Sequence, residues 1–185
     1  MTTVFTIGTS NHPWEAFERL LVQADITTIA DVRSKPASRL PHFNRTTLET
    51  RLNASGIAYV FLGVELGGRP KDGVADYEQM AATVVFAQGI EQVEQIAAGT
   101  RLALMCAEHE PLTCHRCLLV GRRLVERGIS VAHILRDGTI ERNEITEGRL
   151  LAITKQTEGD LLASREDRLA AAYRAQASRI GRKTR

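Results

Sequence analysis

The feature that most constrains this chain is an alternation. Short β-branched apolar runs recur between longer stretches with helical spacing, the pattern of βαβ units on a parallel sheet. Val4 to Ile7 is the first run, closed by Gly8. Pro13 suits the first turn of a helix, and Trp14, Phe17, Leu20, Leu21 and Ala24 follow at helical spacing as a core-facing stripe. Thr27 to Val32 reads as a second strand, Thr46 to Ala54 as a helix stopped by Gly56, and Ile57 to Leu62 as a third strand. The segment Gly63 to Gly73 is too rich in glycine to be regular structure and long enough to be functional. Helical pattern resumes from Asp76 to about Ala98, with Gly89 as a candidate break. Leu102 to Met105 is a short buried strand with Cys106 at its end. A turn through Pro111 leads to a helix from about Thr113 to Arg127, and Val131 to Leu135 is another strand. Asp137-Gly138 is a hairpin signal, so Thr139 to Arg142 is expected to return as an antiparallel edge.

The expected fold is therefore α/β: a three-layer, mainly parallel open sheet flanked by helices, with a C-terminal helical extension. The α/β domain is placed at residues 1–145 and the extension, with its basic tail, at 146–185, because the βα rhythm fades there. Within the extension, Leu161 to about Ala177 has strong helix propensity. The net charge of +2 says little, but its distribution is uneven. From Arg168 onward, Arg174, Arg179, Arg182, Lys183 and Arg185 are accompanied by no acid. That tail reads either as a solvated helix end or as a basic arm for nucleic acid.

The opening MTTVFTIGTS lacks the basic and apolar regions of a secretory signal. No apolar run approaches the ~20 residues of a membrane helix. The three cysteines, Cys106, Cys114 and Cys117, are clustered and do not form a secreted disulfide framework. A cytoplasmic protein with no membrane partner is expected, and nothing indicates a homo-oligomer.

In open α/β sheets ligands bind beyond the carboxyl ends of the parallel strands. The segments following the expected strands hold Thr9, Ser10, Asn11 and His12; Arg33, Ser34, Lys35, Ser38 and Arg39; Glu65, Gly67, Gly68 and Arg69; and Cys106, Glu108, His109, Cys114, His115 and Arg116. Titratable groups thus gather at one end of the sheet. The densest stretch is Met105 to Cys117. Cys114 falls near a helix N-terminus, where unpaired N–H groups and the helix dipole favour a thiolate and an anion alike. A low-pKa thiol beside an anion cradle is what a cysteine nucleophile acting on an anionic substrate requires. Cys106 is the second candidate, the two thiols could act as an attacking and resolving pair, and Glu108 is placed to move a proton.

Blander readings compete. Any of the cysteines can be a small buried side chain, which is the reading preferred for Cys117. Cys106, Cys114 and His115 with His109 could bind zinc, although the spacing matches no paired C-x-x-C knuckle. His115 could simply bond to the helix turn. Arg33 and Arg39 suit phosphate or carboxylate, but an internal salt bridge from Asp31 to Arg33 or Arg116 is an equal alternative. The Leu66-Gly67-Gly68-Arg69 loop either admits a ligand close to its backbone or only makes a turn. His12 and His42 read as structural.

With these segments identified, the chain resembles the domain-of-unknown-function family 488. The resemblance rests on Thr6-Ile7-Gly8 with Ser10, on Asp31-Val32-Arg33-Ser34 with Pro36, Ser38 and Arg39, and on Phe43-Asn44. It continues through Tyr59, Leu62-Gly63, Leu66-Gly67-Gly68, Met105-Cys106-Ala107-Glu108, Cys114-His115-Arg116, His133-Ile134 and Gly138. Thr9 stands where the family often has His. The resemblance implies a compact α/β fold and a cytoplasmic, prokaryotic-type protein, and it brings no activity with it.

The leading expectation is a cysteine-dependent enzyme acting on a phosphate-bearing substrate, a nucleotide or nucleic acid. Cys106 or Cys114 is the reacting thiol, with Glu108 and His115 in proton transfer. Ser10, Arg33, Ser38, Arg39, Gly67, Gly68, Arg69 and Arg116 form the anion site. No cofactor is assigned and no metal is required. The alternatives are a non-catalytic nucleic-acid-binding module using the same arginines and the basic tail, and a structural zinc site.

Overall fold

A computed structural model describes residues 2–70, 75–156 and 163–183. The chain runs β1 (Thr3–Gly8), α1 (Trp14–Gln23), β2 (Thr28–Asp31), α2 (Arg45–Ala54), β3 (Ala58–Phe61), the single turn α3 (Gly63–Leu66), α4 (Tyr77–Ala81), α5 (Val84–Gly99) and β4 (Leu102–Cys106). A 3₁₀ turn at Pro111–Thr113 precedes a π-helical segment, Arg116–Gly121, continuous with α6 (Arg122–Glu126). Then come β5 (Ser130–Ile134), β6 (Ile140–Arg142), α7 (Asn143–Ile153) and α8 (Arg165–Lys183).

The six strands form one sheet in the order β3-β2-β4-β1-β5-β6. All neighbours are parallel except β5 and β6, the antiparallel edge that the Asp137-Gly138 turn predicts. The α/β architecture read from the sequence, with helices on both faces and a C-terminal helix, is the one observed. Alternation along β4 sorts side chains by face. Leu102, Leu104 and Cys106 join the core under α5 and α6, whereas Ala103 and Met105 join the core under α1 and α2. Trp14 and Phe17 are core on the second face, as their spacing predicts. Cys106 therefore lies on the α5 and α6 side, at the carboxyl end of a central strand.

Several local expectations are corrected. Gly63–Leu66 is helical despite its glycine, while residues 71–73 of that loop lie outside the described residues. The long helical pattern breaks after Ala81, where Thr83 caps α5 by accepting from the Phe86 N–H. Gly89 does not break it: a Cβ there would press on Leu66 and Glu65, so glycine lets α5 close on α3. The helix expected from Thr113 starts later, after the 3₁₀ turn and Cys114. α7, which spans the proposed 145/146 boundary, had no expected counterpart. It packs with α8 around Leu150, Leu151, Leu169 and Tyr173 in a third core cluster that also takes Cys117. Leu161, the expected start of the last helix, and the side chains of Arg182, Lys183 and Arg185 lie outside the described residues. Among the described residues no helix is long and apolar enough to cross a membrane.

Candidate functional site

The strand order places β4 between β2 and β1, so the loops leaving these three strands meet. They are tied together by main-chain bonds: the Thr9 N–H donates to the Cys106 carbonyl (2.8 Å), Ser10 N–H to Ala107 (2.7 Å), and Val32 N–H to Met105 (3.0 Å). Ser10 takes a positive φ of 45° in making this crossing. Gly8 pairs in register with Cys106, and a Cβ on it would lie 2.7 Å from the Glu108 carbonyl carbon. The loop that carries Glu108 therefore rests directly on the end of β1.

Arg116 fixes that loop from below. It is fully buried. Its Nε donates to Thr6 Oγ1 (3.3 Å), and its terminal nitrogens donate to the main-chain carbonyls of Glu108 and of His109, the latter at 2.8 Å. The network extends away from the site. Thr6 bonds His133 Nδ1 (2.8 Å), His133 Nε2 meets Asn143 Oδ1 (3.1 Å), and Asn143 Nδ2 donates to Glu147 (3.0 Å). Because Asn143 Oδ1 only accepts, His133 carries its proton on Nε2 and its Nδ1 accepts from Thr6. Burial, with Arg116 nearby, lowers the His133 pKa to about 4.

The chemistry-bearing cluster sits above this frame. Cys114 is extended, and its carbonyl accepts from the N–H groups of Cys117 (3.2 Å) and Leu118 (3.1 Å), so it caps the helix that follows. His115 opens that helix and turns its ring back over β2, where Nε2 meets the Val32 carbonyl at 2.8 Å. A carbonyl only accepts, so Nε2 holds a proton and Nδ1 is left facing Cys106 Sγ (3.6 Å) and Cys114 Sγ (3.9 Å). The two sulfurs and Nδ1 all lie within 4.8 Å of one another. Glu108 Oε2 is 3.6 Å from Cys106 Sγ on the open side.

Electrostatics divides the two thiols. Burial alone would raise Cys114, but the hydrogen bond from Cys106, the Arg116 guanidinium and His115 outweigh it and hold that thiol well below its ordinary value. Cys106 is pushed well up by the hydrogen bond it gives to Cys114, by burial and by Glu108. His115 would be lowered by its burial, yet its bond to Cys114 and the neighbouring negative charge raise it. These shifts act in one direction: they favour passage of the Cys114 proton toward His115 and retention of the Cys106 proton. Cys117 is different: burial pushes it up to about 12, and it packs among Leu112, Leu118 and Leu150, in line with the packing reading.

A cleft of about 550 Å³ opens over the cluster. Cys106, Cys114 and His115 line it together with Glu108, Arg33, Ser34, Lys35, Gly68, Arg69 and Tyr77. Gly68 is required by its neighbour: a Cβ there would stand 2.8 Å from His115 Nδ1 and closer to the ring carbon Cγ. Ser34 Oγ accepts from the Arg69 N–H at 3.0 Å and fixes the same loop to the end of β2.

The candidate anion ligands separate into two groups. Arg33 is spent internally: Nε and one terminal nitrogen grip Asp31 at 2.9 and 2.7 Å, and the other donates to the Phe43 carbonyl at 2.9 Å. This is the internal salt bridge weighed above, and Tyr59 completes it by donating to Asp31 at 2.9 Å. Arg116 is likewise spent on carbonyls. Lys35 and Arg69 are exposed on the cleft wall, and no carboxylate among the described residues pairs with either. Ser10, Ser38 and Arg39 are not part of the wall; Ser38 instead accepts from the Leu40 N–H. Sequence reasoning had no signal for Tyr77 or for the Val32 carbonyl, and it ranked Lys35 below the arginines.

The family described as "Domain of unknown function DUF488" matches residues 13–122, more than half of the 185-residue chain, and the chain belongs to it. The match includes the Arg33, Gly68, Cys106 and Cys114–Arg116 segments and excludes β1, β5 and the C-terminal helices. No curated protein and no solved structure matches the chain.

Proposed function

We propose that this member of the DUF488 family is a cysteine-dependent enzyme acting on a phosphate-bearing substrate of the nucleotide or nucleic-acid class. The observation that carries the reading is the orientation of His115. Its Nε2 is held by the Val32 carbonyl so that Nδ1 faces both sulfurs, at the floor of a cleft whose wall carries two cations, Lys35 and Arg69, that no carboxylate among the described residues pairs with. Cys114 is the nucleophile and His115 holds the proton it gives up. Lys35 and Arg69 receive the substrate's anionic group. As the Cys114 sulfur bonds to the electrophilic centre, the leaving oxygen departs and takes the proton from His115. Glu108, exposed beside Cys106, relays protons to water. Arg33 and Arg116 act as positioning residues that hold the strand-end loops. Three unpaired thiols fit a reducing cytoplasm.

The test compares alkylation of Cys114 by anionic iodoacetate and neutral iodoacetamide, with a chelator present. The cleft is expected to raise the iodoacetate-to-iodoacetamide rate ratio roughly 10-fold above that of the unfolded chain, by focusing anions on the thiolate. Lys35→Ala with Arg69→Ala should return it to the unfolded value. An unchanged ratio in the native protein refutes the anion site.

A further inference from the structure

We propose that Cys106, Cys114 and His115 form a binding site for a soft divalent cation of the zinc type, whose occupancy silences the Cys114 nucleophile. The inference rests on the proposed function only for its second half, since the metal site stands on its own geometry.

In a tetrahedral zinc site with sulfur at about 2.3 Å and nitrogen at about 2.0 Å, adjacent sulfur and nitrogen ligands are about 3.6 Å apart. The observed Nδ1 separations are 3.6 Å to Cys106 Sγ and 3.9 Å to Cys114 Sγ, and the three donor atoms lie within 4.8 Å of one another. The sulfur–nitrogen separations are thus those of ligands on one ion, and the two sulfurs, within 4.8 Å of each other, need only close toward the ~3.8 Å that tetrahedral geometry sets between two thiolates. The donor types agree with the same ion, since thiolate and imidazole select zinc over magnesium or calcium.

The orientation of the nitrogen ligand is independent support. A metal-binding histidine usually donates its other ring N–H to a carbonyl or carboxylate, which fixes the tautomer and turns the lone pair toward the ion. His115 does this with Val32 at 2.8 Å. Gly68, having no side chain, lets the ring lie close against its loop, where any Cβ would collide with it. All three donors line the cleft, and among the described residues no fourth buried ligand joins them, so a fourth position faces the open cleft. That is the open arrangement of exchangeable or catalytic zinc, unlike the closed shell of structural sites.

Binding the ion turns both sulfurs into metal thiolates and removes the proton from His115. The Cys106 proton and the His115 proton leave, and the cluster ends neutral with a divalent cation and two thiolates. No electron moves. Cys114 is then coordinated and blocked from attacking a substrate, and chelation restores it.

The experiment is a titration of chelator-stripped full-length protein with zinc by calorimetry in buffers of different ionisation enthalpy, paired with cobalt titration read by thiolate-to-metal absorption. The expected result is one ion per chain with release of about two protons. Cys106→Ser and Cys114→Ser, each checked by circular dichroism, should each weaken binding by roughly 100-fold or more, beyond the loss typical of outer-shell changes. Cys117→Ser, a thiol outside the donor set in the core under α7 and α8, should bind zinc as the native chain does, which separates loss of a ligand from loss of any buried thiol. Absence of stoichiometric uptake, or uptake unchanged in both serine variants, overturns the site. Iodoacetamide labelling of Cys114 separates the two readings. If the stripped thiol reacts and zinc does not bind, the metal site fails and the enzyme reading stands. If zinc binds but the stripped thiol is inert, the silencing role and the nucleophile both fail, and the metal site alone remains.

Discussion

Gly68→Ala offers the sharpest test of how the cluster is held. The substitution is not excluded by backbone conformation, because Gly68 is not among the residues with positive φ. It is excluded by the His115 ring: the new Cβ would lie 2.8 Å from Nδ1 and closer to Cγ. Carbon atoms settle about 3.5 Å or more from such neighbours, so ring or loop has to give by at least about 0.7 Å. If the ring yields, its 2.8 Å bond to the Val32 carbonyl is stretched to the edge of hydrogen bonding and a buried bond is lost. If the loop yields, the 3.0 Å bond from the Arg69 N–H to Ser34 goes instead. A lost buried hydrogen bond costs about 1–3 kcal/mol and overpacking about 1–3 kcal/mol more, so a destabilisation of about 2–6 kcal/mol is expected. Urea unfolding with an unchanged slope reads that loss as a lower midpoint. The decisive comparison is a double-mutant cycle. In a His115→Ala background the added methyl has room, and most of the penalty should disappear. A cost below about 0.5 kcal/mol, or the same cost in both backgrounds, would refute the contact as described.

Two other outcomes follow from the buried network. Asp31→Ala removes the counter-charge of the buried Arg33 and an acceptor of Tyr59; it should cost about 3–5 kcal/mol in urea unfolding, and Asp31→Leu with Arg33→Met should cost much less. His133 is held neutral, with its pKa lowered from 6.5 to about 4, so the unfolded chain binds its proton more readily. The associated stability is fully present above pH 6.5 and is lost as pH falls toward 4, amounting to about 3 kcal/mol. His133→Gln should flatten that part of the pH profile, and a variant with the native slope would show that another group is responsible.

How much of this was legible can be argued residue by residue. The strands and the Asp137-Gly138 hairpin were readable because their apolar runs and turn chemistry are local. That Cys106, Glu108, Cys114 and His115 share one cleft was readable because a strand end and a helix start bring sequence-near residues together. What a sequence withholds is the partner of a charge. Arg33 and Arg116 have the residue type of anion ligands, yet Asp31 and main-chain carbonyls absorb their donors. Lys35 and Arg69, with no such partners among the described residues, face the cleft. α7 went unseen because its buried face includes Asn143, Thr146 and Glu147, which carry no apolar periodicity. Its burial is bought by the hydrogen bonds that Asn143 and Glu147 share with His133 and Arg165.

The central claim is that Cys114 is the reactive thiol of a prearranged cluster. The most direct measurement labels the native, chelator-treated protein with iodoacetamide at neutral pH and reads each cysteine by peptide mass spectrometry over time. Cys114 should be modified first, well ahead of Cys106, with Cys117 untouched until unfolding, and His115→Ala should slow Cys114 selectively. If all three thiols stay inert until the chain unfolds, or react together, the cluster is packing and the cysteine-dependent enzyme is contradicted.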